Sequence, residues 1–443
     1  MSIINQVAAS LQTALGAPLD AIGRRTGVIQ RQRKFAGASL LKMVVLTVLK
    51  SPNARSDDFV TTAAQLGVTV TPQAVEKRFT EPLIAFLRAG LEHVLEHAVA
   101  AEPAAIPLFE RFTAVEIGDS TTITLPDDYR DEFPGCGGKA DSGQAAVKIQ
   151  TRWELRTGKL TKLLVEPGRC SDGQNAAAED PVTSRSLLIR DLGYFCLKRF
   201  QEWDAAGAYW ISRWQQGTTV FDRDGRPLDL LAYVRQHQGC GPIDVPILLG
   251  SVERLPCRLI VLRVPQEVAD RRRQKAYEKA QKHGRVPSPE HLAWCDWTLL
   301  VTNCPADLLT WKEVVVLYRT RWQIELLFKL WKSHNHLAAS RATWSAVERM
   351  AVFWAKLIGV VVQHGLLLTS TWSNARRSHW KAARVIRDWI VSLTGALDDL
   401  DRLIRVLEEM TATISAVAKQ KLQRKHPSSF QLLLDPELLD WNC

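Results

Sequence analysis

The sequence predicts an α/β core carrying a β-rich insertion, flanked by α-helical regions at both ends. Three observations predict it. Apolar residues recur at three-to-four spacing through the first hundred positions, the period switches to two from Thr113, and helical spacing returns after Trp311. The 443 residues, 46% of them hydrophobic, suffice for about three domains with real cores, which excludes disorder as the main state. With 57 Lys and Arg against 47 Asp and Glu the net charge is +10. A pI near 9.2 makes a polyanion the first partner to consider, either nucleic acid or an anionic membrane surface.

Membrane insertion is disfavoured. The most apolar stretch, Leu357 to Thr369, is interrupted by Gln363 and His364 and falls short of a span, so a buried helix is expected. No basic residue precedes an apolar run at the N-terminus, as a secretory signal would require. Cys136, Cys170, Cys196, Cys240, Cys257, Cys295, Cys304 and Cys443 contain no C-x-x-C pair, and reduced cytoplasmic thiols are the expectation. His334 and His336 stand as the only close histidine pair. Without a matching Cys or His pair they suggest a polar helix end rather than a zinc site.

In chain order, Leu40-Leu41-Val44-Val45-Val48-Leu49 and Leu83-Phe86-Leu87-Leu91-Val94-Leu95 mark helices of a small α-domain. Between them, Asp57 to Leu66 reads as a helix ended by Gly67. Thr71-Pro72 then supplies the N-cap and first-turn proline of a second helix through Phe79. Helix, turn, helix is a DNA-reading shape as well as a common core element, and Lys77 and Arg78 on the second helix are candidate DNA contacts. From Thr113, Val115-Ile117 leading into Asp119, Ile123-Leu125, Val147-Ile149, Trp153-Leu155 and Leu160 to Val165 alternate as strands of an antiparallel meander, with a turn at Gly158. A helix over Asn175 to Ser184, a buried strand Leu187 to Ile189, a helix Leu197 to Ala206 and a strand Tyr209 to Ile211 follow. That order is the order of a ribonuclease-H-like domain.

Short β runs then interrupt the rhythm between Trp214 and Thr302, with strands at Val245-Leu249 and Leu259-Val264. Within this insertion, Arg271 to Arg285 holds seven basic residues, among them Arg271, Arg272, Arg273 and Lys275, against the single acid Glu278. Such a cluster is either a solvated flexible arm or a phosphate-binding surface, the second favoured because single-sign charge is costly unless neutralised.

The chemistry concentrates in YRTRWQIELLFKLWK. On one continuous helix Tyr318, Arg321, Glu325, Lys329 and Lys332 fall at about 0°, 300°, 340°, 20° and 320°, a single narrow face. The other sides are apolar. One carboxylate among cations there suggests a phosphate site with a metal ligand at its centre, or an internally paired salt-bridge face through Arg321 and Glu325.

The spacing Tyr-x-x-Arg-x-x-x-Glu-x-x-x-x-x-x-Lys resembles the Y-R-E-K signature of the IS-four family of bacterial DDE transposases. EIGDSTTITLP, FPGCGG, IRDLGYFCLKRF and YWISR are similar to the same family, over about Thr113 to Lys332. The resemblance implies catalytic, metal-binding acids at Asp119, Asp191 and Glu325, three remote segments expected at one sheet edge. Asp127, Asp128 and Asp131 compete for the first position, but follow Pro126 in a loop. It further implies two Mg²⁺ ions, replaceable by Mn²⁺, a phosphate clamp of Arg321 and Lys332 with Tyr318 donating to the same strand, and an aromatic residue, Trp294 or Trp297, on a flipped base. Double-stranded DNA and a homodimer on it are the expected partners, in the bacterial cytoplasm. The chain would divide into a DNA-binding helical part at 1–105, core at 106–213 and 303–340 around an insertion at 214–302, and a helical region at 341–443. A nuclease without strand transfer and a non-catalytic DNA-binding regulator are the rival functions.

Overall fold

The computed structural model describes residues 2–31, 34–136, 144–172, 181–237, 239, 241–370, 372, 377–419 and 427–439. Among them are nine strands: β1 (Val115–Thr124), β2 (Ala146–Glu154), β3 (Leu160–Pro167), β4 (Leu187–Arg190), β5 (Tyr209–Arg213), β6 (Val220–Phe221), β7 (Ile243–Leu249), β8 (Leu255–Arg263) and β9 (Trp297–Thr302). The chain forms two compact units, one of residues 1–105, 119–171 and 323–422, the other of residues 106–118, 172–322 and 423–443.

In the second unit the strand order is β1-β4-β5-β9-β8-β7-β6. β1 pairs parallel with β4, and β4 parallel with β5. A strand between two parallel neighbours is covered on both faces, which is why all four residues of Leu187–Arg190 are buried and apolar except the last. β9 then runs antiparallel to both β5 and β8. The insertion at 214–302 therefore continues this sheet through β9. Helix Leu197–Ala205 covers one face with Phe200 and Trp203, and Phe200 stacks on Trp210 of β5 at 4.3 Å and 8°. The cationic run is helix Gln266–Gln281 and not a flexible arm, seated by the buried Ala269.

In the first unit the order is β3-β2-β1, with β2 and β3 antiparallel. Gly158 closes their turn at φ +74, and a Cβ there would lie 2.6 Å from Leu368. Its carbonyl accepts from Trp153 at 3.0 Å and from His364 at 2.7 Å. His364 belongs to helix Ala346–Leu368, long and apolar enough to cross a membrane but 94% buried over its apolar window. It is apolar all round because protein surrounds it, helices Gly37–Lys50 and Glu81–Glu96 among its neighbours.

Three expectations need correction. The helix from Pro72 ends at Glu76, so Lys77 and Arg78 lie in the turn beyond it, and the Arg78 guanidinium covers the Phe35 ring at 5.7 Å. Residues 181–184 are irregular instead of helical, while the rest of the helix expected from Asn175, like Gly137 and Gly138 of FPGCGG, lies outside the described residues. The signature segment is not one helix. Trp311–Thr320 and Trp322–Lys329 are separated at Arg321, whose N–H bonds the Tyr318 carbonyl three residues back, and Leu330–His334 is a π-turn. The tighter and wider turns shift the angles on either side, so the single-face wheel does not apply.

Candidate active site

Asp191 follows β4 directly, in extended backbone at the start of the 3-10 turn Leu192–Tyr194. Its carboxylate is 38% exposed, and one oxygen lies 3.5 Å from Nε of Arg321. Arg321 comes from the far end of helix Trp311–Thr320. That helix starts with a Thr310–Glu313 capping box, and Arg111 grips Glu313 through both guanidinium nitrogens at 2.8 and 3.1 Å. Burial would raise the Glu313 pKa, but Arg111 and the Thr310 N–H outweigh it and hold the carboxyl below its usual range. Val314 to Leu317 are buried, leaving Tyr318 and Arg321 as the polar groups this end presents toward Asp191.

The Tyr318 hydroxyl is buried and has no hydrogen bond of standard geometry among the described residues. Burial first, and then the Asp191 charge, raise its pKa well above that of an ordinary phenol, with Arg321 and Arg213 opposing. It stays a protonated donor at any working pH. Arg213 was missed in the sequence. It lies two residues past Ile211 on β5, as Asp191 lies two past Ile189 on β4, and Ile189 and Ile211 are register partners. Residues level with one another at the carboxyl ends of adjacent parallel strands were the available signal.

The remaining acids belong to the first unit. Asp119 is half-buried on β1, its Oδ1 accepting the Ser120 N–H at 2.8 Å. Glu325 is half-buried in the first turn of Trp322–Lys329, and Lys329 and Lys332 are exposed. Asp127 and Asp128 lie on the 3-10 turn after Pro126, with Asp131 just beyond. Asp127 is occupied with the Ala145 N–H at 3.3 Å and Arg130 at 3.4 Å.

On the basic helix, Arg271, Lys275, Lys279 and Lys282 are exposed. Arg272 and Arg273, also expected to contact DNA, are engaged within the protein. Arg272 donates to the Trp297 carbonyl at 2.7 Å and Thr298 Oγ1 at 2.9 Å, and Arg273 pairs with Asp270 and Asp296 at 2.9 and 2.5 Å. Trp297 is 7% exposed within the core and offers no face to a base, while Trp294 packs on Trp214 at 5.1 Å. His334 does end the π-turn Leu330–His334, but buried against Arg387 and not in solvent; burial lowers its pKa to about 4. The described cysteines Cys136, Cys170, Cys196, Cys257, Cys295 and Cys304 are free thiols, while Cys240 and Cys443 lie outside the described residues.

A strand-end acid facing a signature Tyr and Arg suits phosphoryl chemistry on a polyanion. The family described as Transposase DDE domain matches residues 111–358, more than half of the 443, and the chain belongs to that family. It is an insertion-sequence transposase of the DDE type, an enzyme of DNA cleavage and transesterification, and the resemblance to the IS-four family agrees with this. The chain is 26% identical to a transposase of an insertion sequence element of Bacillus thuringiensis subsp. israelensis, covering 88% of this chain and 87% of that one. Another from Bacillus thuringiensis subsp. finitimus is 25% identical, over 94% and 92%. One from Clostridium perfringens is 24% identical, over 67% and 66%.

Proposed function

We propose that this transposase binds the inverted ends of its insertion sequence as a homodimer, cuts there, and joins the freed ends to target DNA, with Asp119, Asp191 and Glu325 as its catalytic acids. The observation that carries the proposal is the Asp191, Arg321 and Tyr318 cluster, in which an expected acid and two signature residues from remote segments lie together. A ribonuclease-H-like core is supported by the antiparallel β2–β3 hairpin, the parallel β1, β4 and β5, and the helix between β4 and β5. Asp119 and Asp191 each follow the last register pair of β1 and β4, Gly118 and Arg190.

The donor chemistry fits Mg²⁺ or Mn²⁺. All three carboxylates are half-buried and none is sealed in the core, so a hydrated hard cation can reach them. Asp119, Asp191 and Glu325 would hold a pair of such ions, which would supply activation of the attacking oxygen and neutralisation of charge on the phosphate. The side chains do the rest. Arg321 leans on Asp191 in the free protein and offers its planar fork to a phosphate, Lys332 adds a point charge, with Lys329 beside it in sequence, and Tyr318 donates its retained proton. The exposed cations of helix Gln266–Gln281 would follow the duplex backbone. A transfer assay with pre-cleaved end DNA tests the whole reading: joined products are expected, and hydrolysis without joining would leave only a nuclease.

A further inference from the structure

Helix Glu81–Glu96 ends in a second histidine pair, which corrects the sequence expectation that His334 and His336 stand alone. His93 lies in its last turn and His97 is its C-cap. Four residues apart, the two imidazoles share one helix face, with ring centroids 4.5 Å apart and tilted by 54°. Glu96 is exposed beside them, and ligand atoms of all three residues lie within 4.8 Å of one another.

Each ring has its other nitrogen on a backbone carbonyl. His97 Nδ1 is 2.8 Å from the His93 carbonyl oxygen. A carbonyl only accepts, so Nδ1 carries the proton and Nε2 keeps the lone pair. His93 Nε2 is 3.4 Å from the Thr13 carbonyl of helix Ile3–Ala14, a longer contact that favours the lone pair on Nδ1. Ser10 of the same helix donates to the His97 carbonyl at 2.5 Å. A backbone carbonyl on the non-ligating nitrogen is the arrangement that fixes tautomer and orientation in metal-binding histidines.

We propose that His93, Glu96 and His97 form a site for a divalent transition metal, Zn²⁺ foremost, through two imidazole nitrogens and one carboxylate oxygen, with water completing the tetrahedron. Two nitrogen donors separate it in chemistry from the oxygen-only acids of the DNA reaction, which suit Mg²⁺. Bound metal would brace the end of helix Glu81–Glu96 and, through Thr13 and Ser10, its contact with helix Ile3–Ala14.

Co²⁺ titration of untagged, EDTA-stripped full-length protein tests the site. One tetrahedral Co²⁺ per chain is expected, read from an intense visible d–d band displaced by Zn²⁺ and lacking a thiolate charge-transfer band, since Co²⁺ on the oxygen-only acids absorbs far more weakly. His93→Asn and His97→Asn should each weaken binding by at least about tenfold, as should Glu96→Gln, an exposed position that leaves folding intact. Asp119→Asn with Glu325→Gln should leave the band unchanged. Binding unaffected by Glu96→Gln and either histidine change, a thiolate band, or loss of the signal with the Asp119 and Glu325 changes would each overturn the proposal.

Discussion

Arg321 faces two demands. In the free protein it partly neutralises Asp191, and in the reaction it would hold a phosphate. Arg321→Ala should lower the rate of end cleavage by about a hundredfold, the size of effect seen when one donor to developing charge is removed, with little change in binding to unrelated duplex. Equal losses in gel-shift and cleavage assays would argue against a specific clamp. Tyr318 behaves differently because its buried hydroxyl has no hydrogen bond of standard geometry among the described residues and lies beside Arg321. Tyr318→Phe should change the melting temperature little, since the hydroxyl makes no hydrogen bond of standard geometry among the described residues, and still slow end cleavage by about tenfold. The pH profile should keep its shape, because the phenol titrates far above working pH. Arg213 was missed in the sequence, and Asp191 was named there only through the family resemblance, for one reason. Their common level depends on the register of two strands separated by a helix, and neither residue type is unusual where it stands.

At the scale of elements, helix Gln266–Gln281 sorts its own charges. Arg271, Lys275, Lys279 and Lys282 fall within about 80° of arc, while Arg272 points to β9 and Arg273 to Asp296. Replacing Arg271, Lys275 and Lys279 together by Ala should flatten the salt dependence of DNA binding by about one unit per cation lost at the interface. Arg272→Ala should instead lower the melting temperature, since it removes a half-buried guanidinium from the Trp297 carbonyl and Thr298. The density of charge in this run was plain from the sequence, but which cations face inward depends on what lies beneath. The signature segment carries the same lesson. Its residue types and offsets were legible, yet the break at Arg321 and the π-turn beyond it come from backbone hydrogen bonding that periodicity does not encode.

For the whole molecule, the strands between Val115 and Pro167 and the strand, helix, strand run from Leu187 to Arg213 were legible because buried apolar runs there have clear periods. Longer-range joins were not. Gly158 and His364 meet across 206 positions, and nothing local to either announces it. That join has a measurable consequence. Burial lowers the His364 pKa to about 4, as it does for His334, from an ordinary 6.5. A lowered imidazole pKa means that the unfolded chain takes up the proton first. Stability should therefore fall as pH drops from about 6.5 toward 4, by roughly 1.4 kcal/mol per unit for each histidine, and a His364→Gln variant should show a shallower slope in thermal melts. The central claim, that the three acids drive metal-dependent cutting and joining of element ends, is tested most directly by incubating the protein with labelled end DNA in Mg²⁺ or in EDTA. End-specific nicks and joined products should form only with Mg²⁺, and Asp119→Asn, Asp191→Asn and Glu325→Gln should each bind the ends but cut at least about a hundredfold more slowly. Wild-type cutting by any one of these variants would contradict that residue's role, and cutting in EDTA would contradict the chemistry as a whole.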